Sequence, residues 1–567
     1  MRIKIFKCIM LFLFSSMLCI FCIVPLEAQY PVDEHTVGLW HLDNAFGTAL
    51  SFDGQNDYVE VPYSTSLDIT GEITIEAWVY AKGTGRMLKI SCKRDESVPF
   101  YFIGVDHGML YAGVGDNLTY VVTNKTTELP LNEWHFVAMS YSDTENKIWL
   151  YLDGELKEEV SCNISLVQFL SDLLIGAQYQ SGGYYQFFDG IIDEVRISNV
   201  ARSNFDLTSP FNIDANTVAL WHFDKGSGQI AYDDTSYYND GQLGSTAGVD
   251  VNDPTWVDST LAIDSSHNAN HGTLYGPTWV DGYLGNALSF NGDSDYVNIP
   301  DDPTLDIKDD ITLEAWFNIS DFSTSEGYHM YILSKDTDGP STNRSYGIGV
   351  DLTWIDPGKP FFIVFDGGEY QIAWGTTVLA ADTWYHLMGV YYASTGDIKL
   401  YLNGVLESSE DNPSDPINVG AADLRIGARE YSDHQCFFNG VIDEARISDV
   451  PIVPVEIDIK PNSNLNSINL GSKGNVPVAI FSTDYFDATT IDPTKVTLAG
   501  ATVRLKGKGT PMVSHEDING DDLLDLIVHI DTQAFTMSYG DTVAILTGWA
   551  NGVFVRGMDT VRIVPEN

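Results

Sequence analysis

Residues 73–80 alternate Ile73, Ile75, Ala77 and Val79 with Thr74, Glu76, Trp78 and Tyr80, the period-two pattern of a strand with one face on a core. Similar runs lead into Asp153-Gly154 and Asn403-Gly404, dipeptides suited to the positive φ of a tight hairpin. No convincing helical stripe interrupts them. Many short strands parted by Gly, Asn and Asp turns predict an all-β chain of antiparallel sandwiches.

The pattern occurs twice, with the same landmarks in the same order. Val37-Gly-Leu-Trp40-His-Leu-Asp43 matches Val218-Ala-Leu-Trp221-His-Phe-Asp224, and Ser51-Phe-Asp53-Gly-Gln-Asn-Asp57-Tyr-Val matches Ser289-Phe-Asn291-Gly-Asp-Ser-Asp295-Tyr-Val. Ile73-Thr-Ile-Glu76-Ala-Trp78 then matches Ile311-Thr-Leu-Glu314-Ala-Trp316, and Gly-Ile-Ile-Asp193-Glu194-Val-Arg196-Ile-Ser198 matches Gly-Val-Ile-Asp443-Glu444-Ala-Arg446-Ile-Ser448.

This ordered set resembles laminin-G-like domains, concanavalin A-type jellyrolls common in secreted microbial proteins. The resemblance implies two jellyroll sandwiches in tandem, binding of glycans or other extracellular polymers, and calcium held beside each sandwich. Between the opening Trp and the Ser-Phe block, such domains carry an Asp-x-Ser-x-x-x-Asn-x-Gly-x-Leu segment ending in Thr-Trp-Val-Asp. The first copy runs from Asp43 to Ser51 without it, whereas the second holds it twice, from Asp234 to Asp258 and from Asp264 to Asp281. The expectation is a shortened first domain at 29–205 and a second at 206–450, extended by a duplicated acidic insert at 233–281. Beyond the stiff Pro451-Ile-Val-Pro454 linker, residues 451–567 read as a smaller C-terminal β module.

Arg2, Lys4 and Lys7 precede an apolar run from Cys8 to Val24, so residues 1–28 read as a secretory signal peptide, with an uncleaved anchor as the alternative. No later segment approaches the ~20 apolar residues a spanning helix needs. The expected location is secreted or cell-surface, with no membrane insertion after signal removal. Three cysteines remain beyond the signal: Cys92 and Cys162 either pair or stay as thiols, and Cys436 has no evident partner.

Seventy-nine acids against thirty bases leave a net charge of −49, which disfavours nucleic acid and anionic lipid surfaces and favours cations. The surplus is uneven. Residues 233–310 alone hold fifteen Asp and one Lys, a diffuse acidic surface that aids solubility.

The sharpest local motif is Asp517-Ile-Asn519-Gly-Asp521-Asp-Leu523-Leu-Asp525. Oxygen ligands at every second position suit calcium, which takes six to eight hard oxygens at about 2.3–2.6 Å, with the Leu523 carbonyl at position seven. In the sandwiches, Asp53, Asp57 and Asp193, with Asn291, Asp295 and Asp443 in the second copy, are candidate calcium ligands. The same residues also read as turn formers and as a structural charge network. Trp78 and Trp316 read as sandwich core; loop aromatics such as Tyr184, Tyr185, Tyr237, Tyr238 and Trp354 are better ligand candidates.

No catalytic signature is present. Glu456-Ile-Asp458-Ile-Lys460 places Lys where a paired-carboxylate glycosidase needs its second acid. The reading is an exported, non-enzymatic binding or adhesion protein, supported by calcium, whose partners are extracellular glycans or surface proteins. A structural spacer of a cell envelope or matrix is the alternative, and an unrecognised glycoside hydrolase stands third.

Overall fold

The computed structural model describes residues 32–564, apart from short stretches at 44–45, 84–87, 95–98, 117, 168–169, 181, 323–327, 338–342, 354–357, 367–368, 412–414, 431–435, 462, 464 and 540. The expected signal peptide, Trp354 and the side chain of Cys92 lie outside the described residues. Cys162 and Cys436 are free, buried thiols.

The described chain is strands and short turns of 3₁₀ helix. In the first sandwich, Ile73–Ala81 lies between Trp134–Ser142 and the closing strand Asp189–Ser198. Its Ile73, Ile75, Ala77 and Val79 point into the core against Ile103, Val105 and Leu110 of the facing sheet, as the alternation requires. The second sandwich repeats this with Ile311–Ile319 between Trp384–Tyr392 and Asn439–Ser448. Its facing sheet runs from His329–Asp336 through Arg344–Asp351 and Lys359–Asp366 to the edge strand Glu369–Trp374.

Strand pairing divides the chain differently from the expected boundaries. Thr36–Trp40 pairs with Asn439–Ser448 of the second sandwich, while Thr217–Trp221 pairs with Asp189–Ser198 of the first. The two insert copies are shared out the same way. Thr255–Asp258 joins the first sandwich beside Thr48–Asp53, and Thr278–Asp281 joins the second beside Asn286–Asn291. Neither sandwich is shortened or extended; each owns one Trp strand and one insert. The physical reason is proximity: Thr217–Trp221 follows the first closing strand directly and takes its free edge at small loop-closure cost, which leaves the equivalent edge of the second sandwich for Thr36–Trp40.

Each insert clamps its own Trp strand. Asp233 Oδ1 accepts from Leu220 N at 3.0 Å and the Asn239 carbonyl accepts from Trp221 Nε1 at 3.0 Å. Asp264 Oδ1 accepts from Leu39 N at 2.9 Å and the Asn270 carbonyl from Trp40 Nε1 at 2.9 Å. The first clamp therefore begins at Asp233, one residue before the expected Asp234. Both indoles are fully buried.

The C-terminal module has its own core of Ile459, Val478, Leu498, Val528 and Leu546. Its Ile452–Pro454 strand pairs in parallel with Val553–Thr560, and Ile452 and Phe554 pack on Met388, Val390 and Tyr401 of the second sandwich.

Candidate functional site

On the outer face of the second sandwich's facing sheet, alternation puts a row of aromatic side chains outward. Tyr346, Ile348 and Val350 enter the core, so Gly347 and Gly349 form the outer surface of that strand. A Cβ at Gly347 would lie 3.0 Å from the Tyr331 ring, and one at Gly349 3.0 Å from the Phe361 ring and 2.3 Å from the Met330 carbonyl. The two glycines thus make the floor on which neighbouring rings lie.

Phe361 meets Tyr331 edge-on at 5.2 Å, His329 at 5.3 Å and Trp374 at 5.7 Å. Together they bound a cavity of about 410 Å³ that is open to solvent on the side of Trp374 and Tyr370, which are 41% and 63% exposed. Polar groups enter from its rim. His329 Nδ1 lies 3.1 Å from Asp351 Oδ1, and both Asp351 oxygens accept from Thr353. Arg344 and Arg429 bracket Asp336 at 3.4 and 3.6 Å and pass over the Phe365 and Tyr331 rings. Burial, helped by Arg429, holds the His329 imidazole below its ordinary pKa against the pull of Asp351, so it is neutral at pH 7. Flat apolar faces beside fixed hydrogen-bonding groups are what a sugar ring, apolar on its faces and polar at its edge, requires.

None of these residues was a sequence candidate. A signal was there: Phe361-Phe-Ile-Val-Phe365 is apolar on both faces, unusual for an antiparallel strand with one solvated side.

The sequence candidates separate into three groups. Asp53 and Asn291 build turns: Asp53 Oδ1 accepts from Gln55 N and Asn56 N, and Asn291 Oδ1 from Asp293 N and Ser294 N. Asp57 and Asp295 accept the Asp53 and Asn291 amides in turn. Burial, with Asp53 and Asp253 adding repulsion, pushes the Asp57 carboxyl up to about 6.

Asp193 and Asp443 sit with Glu194 and Glu444 at bulges in the closing strands, and both glutamates adopt φ 50°. His222 reaches Glu194 at 2.5 Å and His41 reaches Glu444 at 2.9 Å. Asp193 and Asp443 are fully buried, and each keeps one carboxylate oxygen without a hydrogen-bond partner. Burial, then Glu444 and Asp43, pushes Asp443 up to about 8; burial, then Glu194 and Asp224, raises Asp193 strongly. An orphaned carboxylate oxygen beside a second acid fits a hard cation. Among the described residues no three His, Cys, Asp or Glu side chains gather as a metal centre, so backbone carbonyls would have to complete such a site.

The 517–525 loop brings Asp517 Oδ1 and Asn519 Oδ1 onto one point, the Asp521 amide, which donates to both at 3.2 Å. Leu523 N donates to Asp521 Oδ1. Asp525 is buried and accepts from Ser482 N and Ile518 N, bracing the loop from below. The donor set is all oxygen and suits calcium, with the side-chain oxygens of Asp517, Asn519 and Asp521 turned to the loop's own amides.

Among the loop aromatics, Tyr184 stacks on Tyr58 at 4.1 Å, while Tyr185, Tyr237 and Tyr238 are exposed singly. Trp78 is buried, though outside the core between the sheets: it lies on the outer face beneath Phe46, Phe136 and His271. Trp316 is only partly buried and lines a groove.

Two antiparallel two-sheet sandwiches, the second with an aromatic cavity on one outer face, define a jellyroll-type β-sandwich protein. The chain belongs to the concanavalin A-like lectin/glucanases superfamily, whose laminin-G-type family model matches residues 53–208 and 291–458, more than half its length. Solved structures similar to it include domain 4 of the extracellular arabinanase AbnA from Geobacillus stearothermophilus in complex with arabinotriose, at 22% identity, covering 33% of this chain and 85% of that one, with a TM-score of 0.25. A putative carbohydrate-binding protein from Bacteroides ovatus shares 19% identity over 37% of this chain and 61% of that one, TM-score 0.28. Mouse laminin α1 domains LG4-5 share 13% over 75% and 92%, TM-score 0.23. No curated protein matches the chain.

Proposed function

We propose that this is an exported, non-catalytic binding protein that captures neutral extracellular glycans on the outer face of its second sandwich. The observation that carries the reading is the His329–Trp374 cavity, in which exposed aromatic faces stand beside fixed polar groups. Neutral glycans suit it because the charges of Arg344 and Arg429 are offset by Asp336 and Asp351, and His329 is uncharged. Calcium would be held by Asp193 with Asp224, by Asp443 with Asp43, and by the 517–525 loop. There it would neutralise buried acids and stiffen the scaffold without touching the sugar.

The test is a glycan array that includes arabinan fragments, probed with the full chain and with Trp374→Ala, in calcium and in chelator. Hits that Trp374→Ala loses support the reading; a blank array on folded protein removes it. One observation favours the spacer alternative: exchanged strands and buried seams join the two sandwiches, as a load-bearing unit in an envelope would need.

A further inference from the structure

The outer face of the other sheet tells the two sandwiches apart. In the first, Trp78, Phe136 and Tyr151 are covered by Phe205, Phe211 and Leu261, and Trp134 Nε1 donates to Thr260 Oγ1 at 3.0 Å. That face is closed. In the second, the C-terminal module covers Met388, Val390 and Tyr401 and packs Ile545 and Met558 near one side of Trp316, without closing over Trp384. What remains is a groove of about 490 Å³ between sandwich and module.

Its walls are aromatic planes set at angles. Tyr283 stacks on Trp316 with centroids 3.6 Å apart and planes 11° from parallel, and Trp384 stands 5.8 Å from Tyr283, tilted by 59°. Tyr283 is 40% exposed. The opposing wall is Tyr485 of the module, 42% exposed, whose hydroxyl donates to the Gly404 carbonyl at 3.3 Å and spans the seam. Polar groups line the same space: Asn403, Glu456, and Thr483, whose hydroxyl has no hydrogen-bond partner. Sequence alignment of the two copies puts Ala45 opposite Tyr283 and Phe136 opposite His386, so the first copy keeps Trp78 and Trp134 for Trp316 and Trp384 but lacks the stacking tyrosine and the histidine.

We infer that this groove is a second saccharide site, independent of the His329–Trp374 cavity, and that it takes a short neutral stretch of an extracellular polysaccharide. Angled aromatic faces with hydroxyl, amide and carboxylate at their edges match stacked pyranose rings. Arg556, the cation lining it among the described residues, is committed to Glu314, and Glu456 repels anions, so acidic polymers are disfavoured. Because the two sites lie on opposite sheets of one sandwich, a long polymer that reaches both is held with higher avidity than either site provides.

Affinity electrophoresis of the full chain in gels containing laminarin, barley β-glucan, mannan or linear arabinan tests this. Tyr485→Ala and Trp384→Ala are compared with Trp374→Ala, with melting temperature as the folding control; Tyr485 is surface-exposed, so its truncation leaves both cores intact. The expected result is that Tyr485→Ala weakens binding of at least one polymer by about tenfold, including binding that survives Trp374→Ala. The inference is overturned if both groove variants migrate like the unmodified chain on every polymer, or if no polymer retards that chain. Loss in Trp374→Ala alone would sink the groove and leave the other site standing; loss in the groove variants alone would do the reverse.

Discussion

Arg556 of the C-terminal module donates to the buried carboxylate of Glu314 in the second sandwich, the place that Arg202 holds beside Glu76 in the first. Thr74 Oγ1 accepts the Arg202 amide at 2.8 Å and Thr312 Oγ1 accepts the Ile452 amide at 3.0 Å, so Ile452 stands where the second arginine would be. The first sandwich supplies both of its arginines itself; the second supplies Arg446 and borrows the other across a seam.

Arg556→Met therefore leaves the buried Glu314 with His386 at 3.1 Å and Arg446 at 3.9 Å in place of its strongest partner, and should cost up to about 3–5 kcal/mol. Thermal melting and limited proteolysis near residue 452 measure it. The double variant Glu314→Gln, Arg556→Met should recover most of the loss, because it removes the under-compensated buried charge; equal damage in single and double variants would show that the pair is not what binds the module.

The same pair sets an acid limit. Burial opposes ionisation of Glu314, but Arg556, His386 and Arg446 outweigh it and hold its folded pKa below the ordinary value of 4.5. A depressed folded pKa gives stability that is complete above the unfolded value and fades as pH falls below it. Urea midpoints between pH 7 and pH 2 should fall more steeply for the unmodified chain than for Arg556→Met.

Asp443 has the opposite sign. With its carboxyl pushed up to about 8, the folded state holds a proton that the unfolded state has released, so stability without metal should decline from about pH 4 to pH 8. Calcium should flatten that decline, and Asp443→Asn should abolish both the decline and part of the calcium effect. Identical melting curves in calcium and chelator at pH 8 would remove the proposed site.

The terminal loop is separable by mutation. Asp521→Ala should remove whatever calcium-dependent rise in melting temperature survives in Asp443→Asn, since Asp521 is exposed and contributes to no core. No further loss in the double variant would mean that the loop is an ordinary acidic turn.

Trp40 reports on the exchanged strand. Trp40→Ala should cost about 3–5 kcal/mol and speed hydrogen exchange in 311–319 and 439–448, while 73–81 and 189–198 stay protected. The reverse pattern would place Thr36–Trp40 in the first sandwich.

Strand alternation, hairpin dipeptides and the doubled landmarks made the all-β class and the twofold repeat legible, because each depends on residues close together in the chain. The inward faces at 73–79 lie where the pattern puts them. Which sandwich owns which Trp strand was decided only in three dimensions: Thr36–Trp40 and Thr217–Trp221 carry nearly the same residues, so composition cannot choose between two equivalent edges, and chain proximity does. The candidate sites follow the same division. Asp193 and Asp443 were visible as acids, but each is buried against a strand more than a hundred residues away, beside Trp78 and Trp316. Phe361 and Trp374 meet His329 only through sheet order, and Tyr283 meets Trp316 only because Thr278–Asp281 joins the second sandwich. A linear pattern specifies which face a side chain takes; what covers that face is a property of the assembled fold.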